Sequence, residues 1–222
     1  MYKKDIFKKL GEKYKSHCYV GLQGFFMNYG HKNLENFKKK VSHYDKILEI
    51  GAGDTPHYNY VQHSYNEYHI AETSEYAEAF HKENPKVKYK IYDGKILPYP
   101  DESFDRIIIS HCLEHILSPE EFLFQMMNKL KKGGILSISL PTDPGIAWRL
   151  GRLMVSLFKI NKNYPVGSEL DYLIATEHVN SIFNLISIIR YHFKNSLEEN
   201  FYPLKIKSSD LNLIYNAHIY KL

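Results

Sequence analysis

The chain has 222 residues, 44% of them apolar and 24% charged, with a net charge of +4. That balance suits a globular domain with a sizeable core, and no run of about 18 apolar residues is present that could span a bilayer. Met1–Leu10 carries charge but no apolar stretch of the kind a secretory leader needs, and Cys18 and Cys112 are too few for a disulfide framework, so a reduced, cytoplasmic setting is expected.

Residues 1–40 hold ten lysines against Asp5, Glu12 and Glu35, a local balance of +7. Those lysines alternate with Ile6, Phe7, Leu10 and Tyr14 at roughly helical intervals, which reads as a solvated helix face. The competing reading, a nucleic-acid arm, lacks an aromatic or base-reading motif, so nucleic acid is not an expected partner. Tyr14 to Tyr29, with Gly21 and Gly24, is a candidate mobile lid, with static helical packing as the alternative.

Lys46–Ile50 is a short apolar run ending in Gly51-Ala-Gly53, a buried strand entering a tight turn. Tyr68–Ala71 predicts a second strand, Ser74–Glu83 a helix closed by Pro85, and Val87–Tyr92 a third strand. Phe104–Ile109 is continuous enough for a strand covered on both faces. Ser118-Pro-Glu-Glu121 predicts a capped helix start, with Phe122, Met126 and Leu130 on one face and Gly133-Gly134 as the stop. Ile135–Leu140 is the fifth strand, and Asn195–Ile206 with Leu211–Tyr220 reads as an antiparallel pair, because the link between them is short. The fold class is therefore α/β: a doubly wound, mostly parallel sheet of seven strands ending in that antiparallel pair.

A glycine pair after the first strand lets a ligand approach backbone at the carboxyl end of a parallel sheet. A dinucleotide fingerprint would need glycine at 56, where the chain has Pro56, and no tyrosine is followed by lysine four residues on, as a nicotinamide-dependent short-chain oxidoreductase would require. Glu49, Glu72 and Asp93 lie at three successive strand ends. Such acids suit ribose hydroxyls, an adenine amino group and a cationic sulfonium, and would repel a polyphosphate.

Four stretches, Leu48–Gly53, Tyr92–Asp105, Ile107–Ile116 and Leu130–Leu136, occur in an order that resembles the class I S-adenosylmethionine-dependent methyltransferases. The resemblance implies S-adenosylmethionine as cofactor, with Gly51, Ala52 and Gly53 beside its methionine part, Glu72 at the ribose, and Asp93 with Gly94 at the adenine. Glu49 would stand next to the turn and His111 near the reactive end. It also implies one methyltransferase domain over 1–222: a helical lid (1–43), a cofactor core (44–142), an acceptor-side insertion (143–190) and a strand pair (191–222). The chain departs from the family pattern at Thr55 and Pro56, where a third glycine is common, and only a short or distorted helix fits between Gly53 and Glu67.

An oxygen acceptor is helped by a general base, whereas an amine needs only to be unprotonated. His115, His178 and His111 are the candidates, with contact to cofactor or acceptor, or simple packing, as alternatives. His111-x-x-Glu114-His115 also admits a divalent metal. Metal binders that this region resembles tend to carry a carboxylate where His111 stands, and no further ligand is identifiable from sequence, so no metal is expected. Trp148, Arg149, Arg152 and Tyr172 are read as acceptor contacts, since guanidinium forks suit phosphate or carboxylate and an aromatic plane suits a base or sugar ring. Packing of an amphipathic helix is the competing account. The Asp143–Arg152 segment is similar to methyltransferases of bacterial surface-polysaccharide pathways. The expected acceptor is accordingly a small, anionic, nucleotide-linked or phosphorylated metabolite, methylated on oxygen or nitrogen. A sugar oxidoreductase, a cofactor-binding module without turnover and an RNA methyltransferase are the rivals.

Overall fold

The computed structural model describes residues 21–53, 55–73, 86–157, 172 and 175–222. The helix expected over Ser74–Glu83, the start of the candidate lid and most of Tyr164–Ala175 lie outside these residues. One sheet runs through the described chain in the order β3-β2-β1-β4-β5-β7-β6. Its strands are β1 (His43–Ile50), β2 (Ser64–Glu72), β3 (Val87–Ile91), β4 (Phe104–Ser110), β5 (Leu130–Pro141), β6 (Leu197–Tyr202) and β7 (Ile214–Tyr220). The first five are mutually parallel. β7 inserts antiparallel between β5 and β6, so the seven-stranded α/β reading and its antiparallel C-terminal pair are both present.

Side-chain alternation sorts the central strands into two faces. Leu48, Ile50, Ile107, Ile109, Leu136 and Ile138 point to one side, where α2 (Pro119–Lys129) and α4 (Ile182–Phe193) cover them with Phe122, Leu123, Met126, Leu185 and Ile189. Each such aliphatic side chain contributes about 1.5–3 kcal/mol by leaving water. On the other side Ile47, Ile70 and Ile108 meet Leu34 at the end of α1 (Gly21–Leu34), together with Phe37 and Tyr68. β4 is thus covered on both faces, as its run of isoleucines requires, although it carries a fully buried arginine, Arg106, on the α1 side.

Two local expectations are corrected. Pro119 takes the first turn of α2, but the Ser118 side chain makes no capping bond, because its backbone (φ −119°, ψ 73°) lies off the extended conformation that aims a capping oxygen. α2 ends at Lys129, before the glycine pair, and β5 begins at once. Gly133 and Gly134 instead shape an irregularity within β5. Gly133 adopts φ +77°, and a Cβ on Gly134 would lie 3.0 Å from the Asp105 carbonyl oxygen, so β5 can hug β4 only without a side chain there. α3 (Ile146–Leu157) follows β5. Among the described residues no helix is long and apolar enough to cross a membrane.

Candidate active site

The strand order reverses between β1 and β4, the position at which an open parallel sheet forms a crevice beyond its carboxyl ends. Ile50 pairs with both Ala71 and Ile109, and Glu72 pairs with Ile91, so four strands end nearly level. Gly51, Glu72, Asp93 and His111 therefore emerge along a single edge. Gly51 and Gly53 adopt φ +69° and +53°, which side chains seldom tolerate. A Cβ on Gly51 would sit 2.7 Å from Cys112 Sγ, whereas one on Gly53 would meet nothing within 4 Å. The first glycine is demanded by packing, and the second leaves open space above the turn. Ala52 between them is buried.

Glu72 is nearly buried and accepts a 2.6 Å hydrogen bond from the Gly53 amide; burial raises its carboxyl pKa above the usual range. Asp93 is exposed and accepts from the amides of Lys95 and Ile96, which lower its pKa. Gly94 beside it turns through φ +78°, and a Cβ there would lie 3.3 Å from Thr73 Cγ2. Glu49 differs from the sequence expectation. It is fully buried, accepts from the His57 amide at 2.8 and 3.0 Å and from the Tyr68 hydroxyl at 2.6 Å, and burial pushes its pKa up to about 7. It points to the α1 face of the sheet, one register position away from the crevice, and braces the turn from beneath.

Sequence reading missed the network around it. Glu35, at the end of α1, pairs with His57 at 2.7 Å and with Arg106 at 2.8 Å, and accepts from the Gln62 amide. Arg106 also contacts His63 at 2.7 Å, donates to Ser137 at 3.2 Å and lies against the Phe37 ring. His57 meets His31 through their Nδ1 atoms at 3.0 Å. With His57 Nε2–H donating to the Glu35 carboxylate, His57 Nδ1 must accept and His31 Nδ1–H must donate. Burial lowers the pKa of both imidazoles, and Arg106 and His57 hold the Glu35 carboxyl well below its ordinary value. His31, Glu35, His57, Arg106 and Ser137 are buried, His63 is half-buried and Gln62 is exposed. The lone signal in the sequence was an arginine inside an otherwise apolar central strand.

A second cluster stands at the far end of the edge. His111 adopts φ +51°, a strained conformation for a residue with a side chain, and its amide donates to the Ser139 carbonyl. His111 Nε2 and Glu114 Oε2 are buried without a hydrogen-bond partner among the described residues. The His115 and His178 rings meet edge to face at 4.9 Å, and His178 Nδ1 lies 3.2 Å from Asp143. The Asn180 amide donates to the Glu114 carbonyl, and its side chain donates to the Ile116 carbonyl. The three predicted histidines are thus gathered from two distant segments. Of the other acceptor candidates, Trp148 is half-buried with its indole N–H unpartnered among the described residues, Arg152 is half-buried, and Arg149 and Tyr172 are exposed.

Residues 48–138 match the family described as "Methyltransferase domain". The chain carries a class I S-adenosylmethionine-dependent methyltransferase domain. Its matched core runs from the end of β1 to β5, the stretch that holds the glycine turn, Glu72, Asp93 and His111. Among curated proteins, a 53-residue stretch is 34% identical to ajmaline N-methyltransferase of Rauvolfia serpentina, covering 24% of this chain and 18% of that enzyme. A methyltransferase from Thermotoga maritima superposes with a TM-score of 0.64 at 16% identity, covering 99% of this chain and all of that one. The plantazolicin methyltransferase BpumL, solved with S-adenosylhomocysteine, gives 0.64 at 15% identity over 98% of this chain and 89% of its own. S-Adenosylmethionine is accordingly the cofactor of this methyltransferase, and the donor set along the edge suits it. Open space over Gly53, the Glu72 carboxylate at the end of β2 and the Asp93 carboxylate after β3 match a cation bearing a ribose better than a phosphate chain.

Proposed function

We propose that this methyltransferase moves the cofactor's methyl group to an oxygen or nitrogen of a small anionic acceptor, a nucleotide-linked or phosphorylated metabolite, in the cytoplasm. A role in building surface polysaccharide fits that acceptor class. Bound S-adenosylmethionine supplies an electrophilic methyl on a positively charged sulfur. In this reading Glu72 takes the ribose hydroxyls, Asp93 and Gly94 the adenine, and Gly51, Ala52 and Gly53 the methionine part. Catalysis then comes mainly from alignment and exclusion of water at the His111 end, where His115 and His178 orient the acceptor's nucleophilic atom.

The observation that carries the acceptor class is the position of α3. Its leading loop is tied to the histidine cluster through Asp143 and His178, and the following turns present Trp148, Arg149 and Arg152, an aromatic plane with two guanidinium groups. Both arginines stand on a helix whose first turn carries no acid of its own, and guanidinium forks suit phosphate or carboxylate.

Incubation with methyl-labelled cofactor and a metabolite extract tests it by mass analysis. The expected product is an anionic metabolite heavier by one methyl, and Arg149→Ala with Arg152→Ala raises KM for it. Labelling confined to neutral or cationic acceptors overturns the acceptor class. Glu72→Ala should weaken S-adenosylhomocysteine binding about 10–100-fold, the loss of a charge-assisted pair of hydrogen bonds. Unchanged calorimetric affinity would remove Glu72 from the ribose site.

A further inference from the structure

We infer that Glu114, His115 and His178 form a binding site for a divalent first-row transition ion at the acceptor end of the crevice. One ligand atom from each of these three side chains lies within 4.8 Å of the others. The sequence weighs against a metal because His111-x-x-Glu114-His115 lacks a further ligand. The fold supplies that ligand from the far side of the insertion, since the Asn180 amide bonded to the Glu114 carbonyl fixes the loop carrying His178 against the turn that carries His115.

Three features distinguish this group from a chance cluster. The first is a cost without an evident return. Glu114 is buried, and its Oε2 has no hydrogen-bond partner among the described residues. A buried carboxylate oxygen left unpaired is among the more expensive polar defects a fold can carry, and a cation relieves it.

The second is the orientation of the imidazoles. His115 Nδ1 lies 3.0 Å from the Glu177 carbonyl oxygen, and His178 Nδ1 lies 3.2 Å from Asp143 Oδ2. Both partners are acceptors, so both rings donate through Nδ1–H and keep the lone pair on Nε2. A metal-ligating imidazole needs that tautomer, and an oxygen on the opposite nitrogen is the usual support of such a ligand.

The third is access. Glu114 is buried, His178 half-buried and His115 exposed, so the cluster opens to solvent on the His115 side. Two imidazoles and one carboxylate suit zinc and its first-row neighbours, whereas magnesium and calcium prefer all-oxygen sets. Three protein ligands with an open position is the arrangement of a catalytic ion, one that can hold an acceptor hydroxyl and favour its ionised form. His111, whose Nε2 is also unpartnered among the described residues, stands on the same edge, four residues before His115. The ion's part in methyl transfer rests on the acceptor reading above; its binding does not.

Titration of the metal-stripped full chain with Zn²⁺ by calorimetry, and with Co²⁺ by visible absorption, tests the site. We expect saturable binding of one ion per chain and cobalt ligand-field bands of a low-coordinate nitrogen-oxygen site. Glu114→Gln and His178→Ala should abolish them. Asp143→Asn, which removes only the support of His178, should weaken binding about 10–100-fold. His192→Ala, at a histidine outside the cluster, should change nothing, and S-adenosylhomocysteine binding should persist in all four variants, showing that they fold. Absence of Zn²⁺ and Co²⁺ binding in the parent chain, or equal binding in Glu114→Gln and His178→Ala, overturns the site. If methyl transfer proceeds in a chain that binds neither ion, this inference alone fails. If the ion binds and only neutral acceptors are methylated, the acceptor class fails and the ion site stands.

Discussion

The two ends of the crevice are built differently. The end we propose for the cofactor is made of consecutive residues, Gly51 to Gly53, with Glu72 one strand away, and it is propped from beneath by a buried polar network that joins α1, the loop after β1 and the middle of β4. The end we propose for the acceptor is assembled from loops that meet at a few exposed or half-buried contacts, His178 to Asp143 and Asn180 to the 113–116 turn. One end depends on interior electrostatics that cannot be altered without disturbing the sheet. The other can change its side chains at little cost, which is what an enzyme family needs if a constant cofactor is to serve many acceptors.

Breaking the brace should have the largest effect. Glu35→Ala leaves Arg106 charged and buried without its carboxylate, a loss of about 3–5 kcal/mol, read in urea or thermal melts and accompanied by weaker S-adenosylhomocysteine binding. Arg106→Met with Glu35→Leu together should cost less than Glu35→Ala alone, because no stranded charge remains. A double variant as unstable as the sum of its parts would show that the pair itself, and not the stranded charge, carries the stability.

The same network fixes a direction for pH dependence. Burial holds His63 down to about 4 and His218 down to about 3, and it also lowers His31 and His57. Below about pH 6.5 the unfolded chain takes up protons that these folded imidazoles refuse, so stability falls on acidification from about 6.5 toward 4. Glu35, depressed in the folded state, adds a loss below about pH 4.5. Glu49 opposes this: it favours the fold while both states hold its proton, and that contribution is lost as pH rises through about 7. Four histidines outweigh it, and the melting temperature should drop between pH 7 and 5, with a smaller drop in His63→Gln. A flat profile across that range would mean the imidazoles protonate in place.

The smallest effect belongs to the acceptor end. Asn180→Ala removes one hydrogen bond to the Ile116 carbonyl and should cost about 1 kcal/mol while leaving S-adenosylhomocysteine affinity unchanged. A loss of cofactor binding there would join the two ends that the architecture keeps apart.

Hydrophobic period and turn residues made most of the sheet readable. The run at Ile107–Ile109, flanked on each side by similar strands, has one placement in a doubly wound fold, and Gly51 and Gly53 mark where the edge must open. The helix stop was misread at Gly133-Gly134, because a glycine pair ends a helix and kinks a strand with equal ease, and only the neighbouring Asp105 carbonyl decides which. Glu49 was assigned to the ligand because it lies next to the turn in sequence. In a strand, neighbours in sequence point to opposite faces, and its carboxylate went to the His57 amide and Tyr68.

The amino-acid order by itself determined the α/β class, the strand ends at which the crevice opens and the residue types found there, because those follow from period, glycine and charge within short windows. The tertiary structure alone decided that Glu35, His57 and Arg106 share a buried charge network, and that His178 stands beside Glu114 and His115. These contacts join segments whose separation along the chain leaves no local trace: each residue's surroundings are made by packing, and burial rather than sequence neighbourhood sets its charge state and partners.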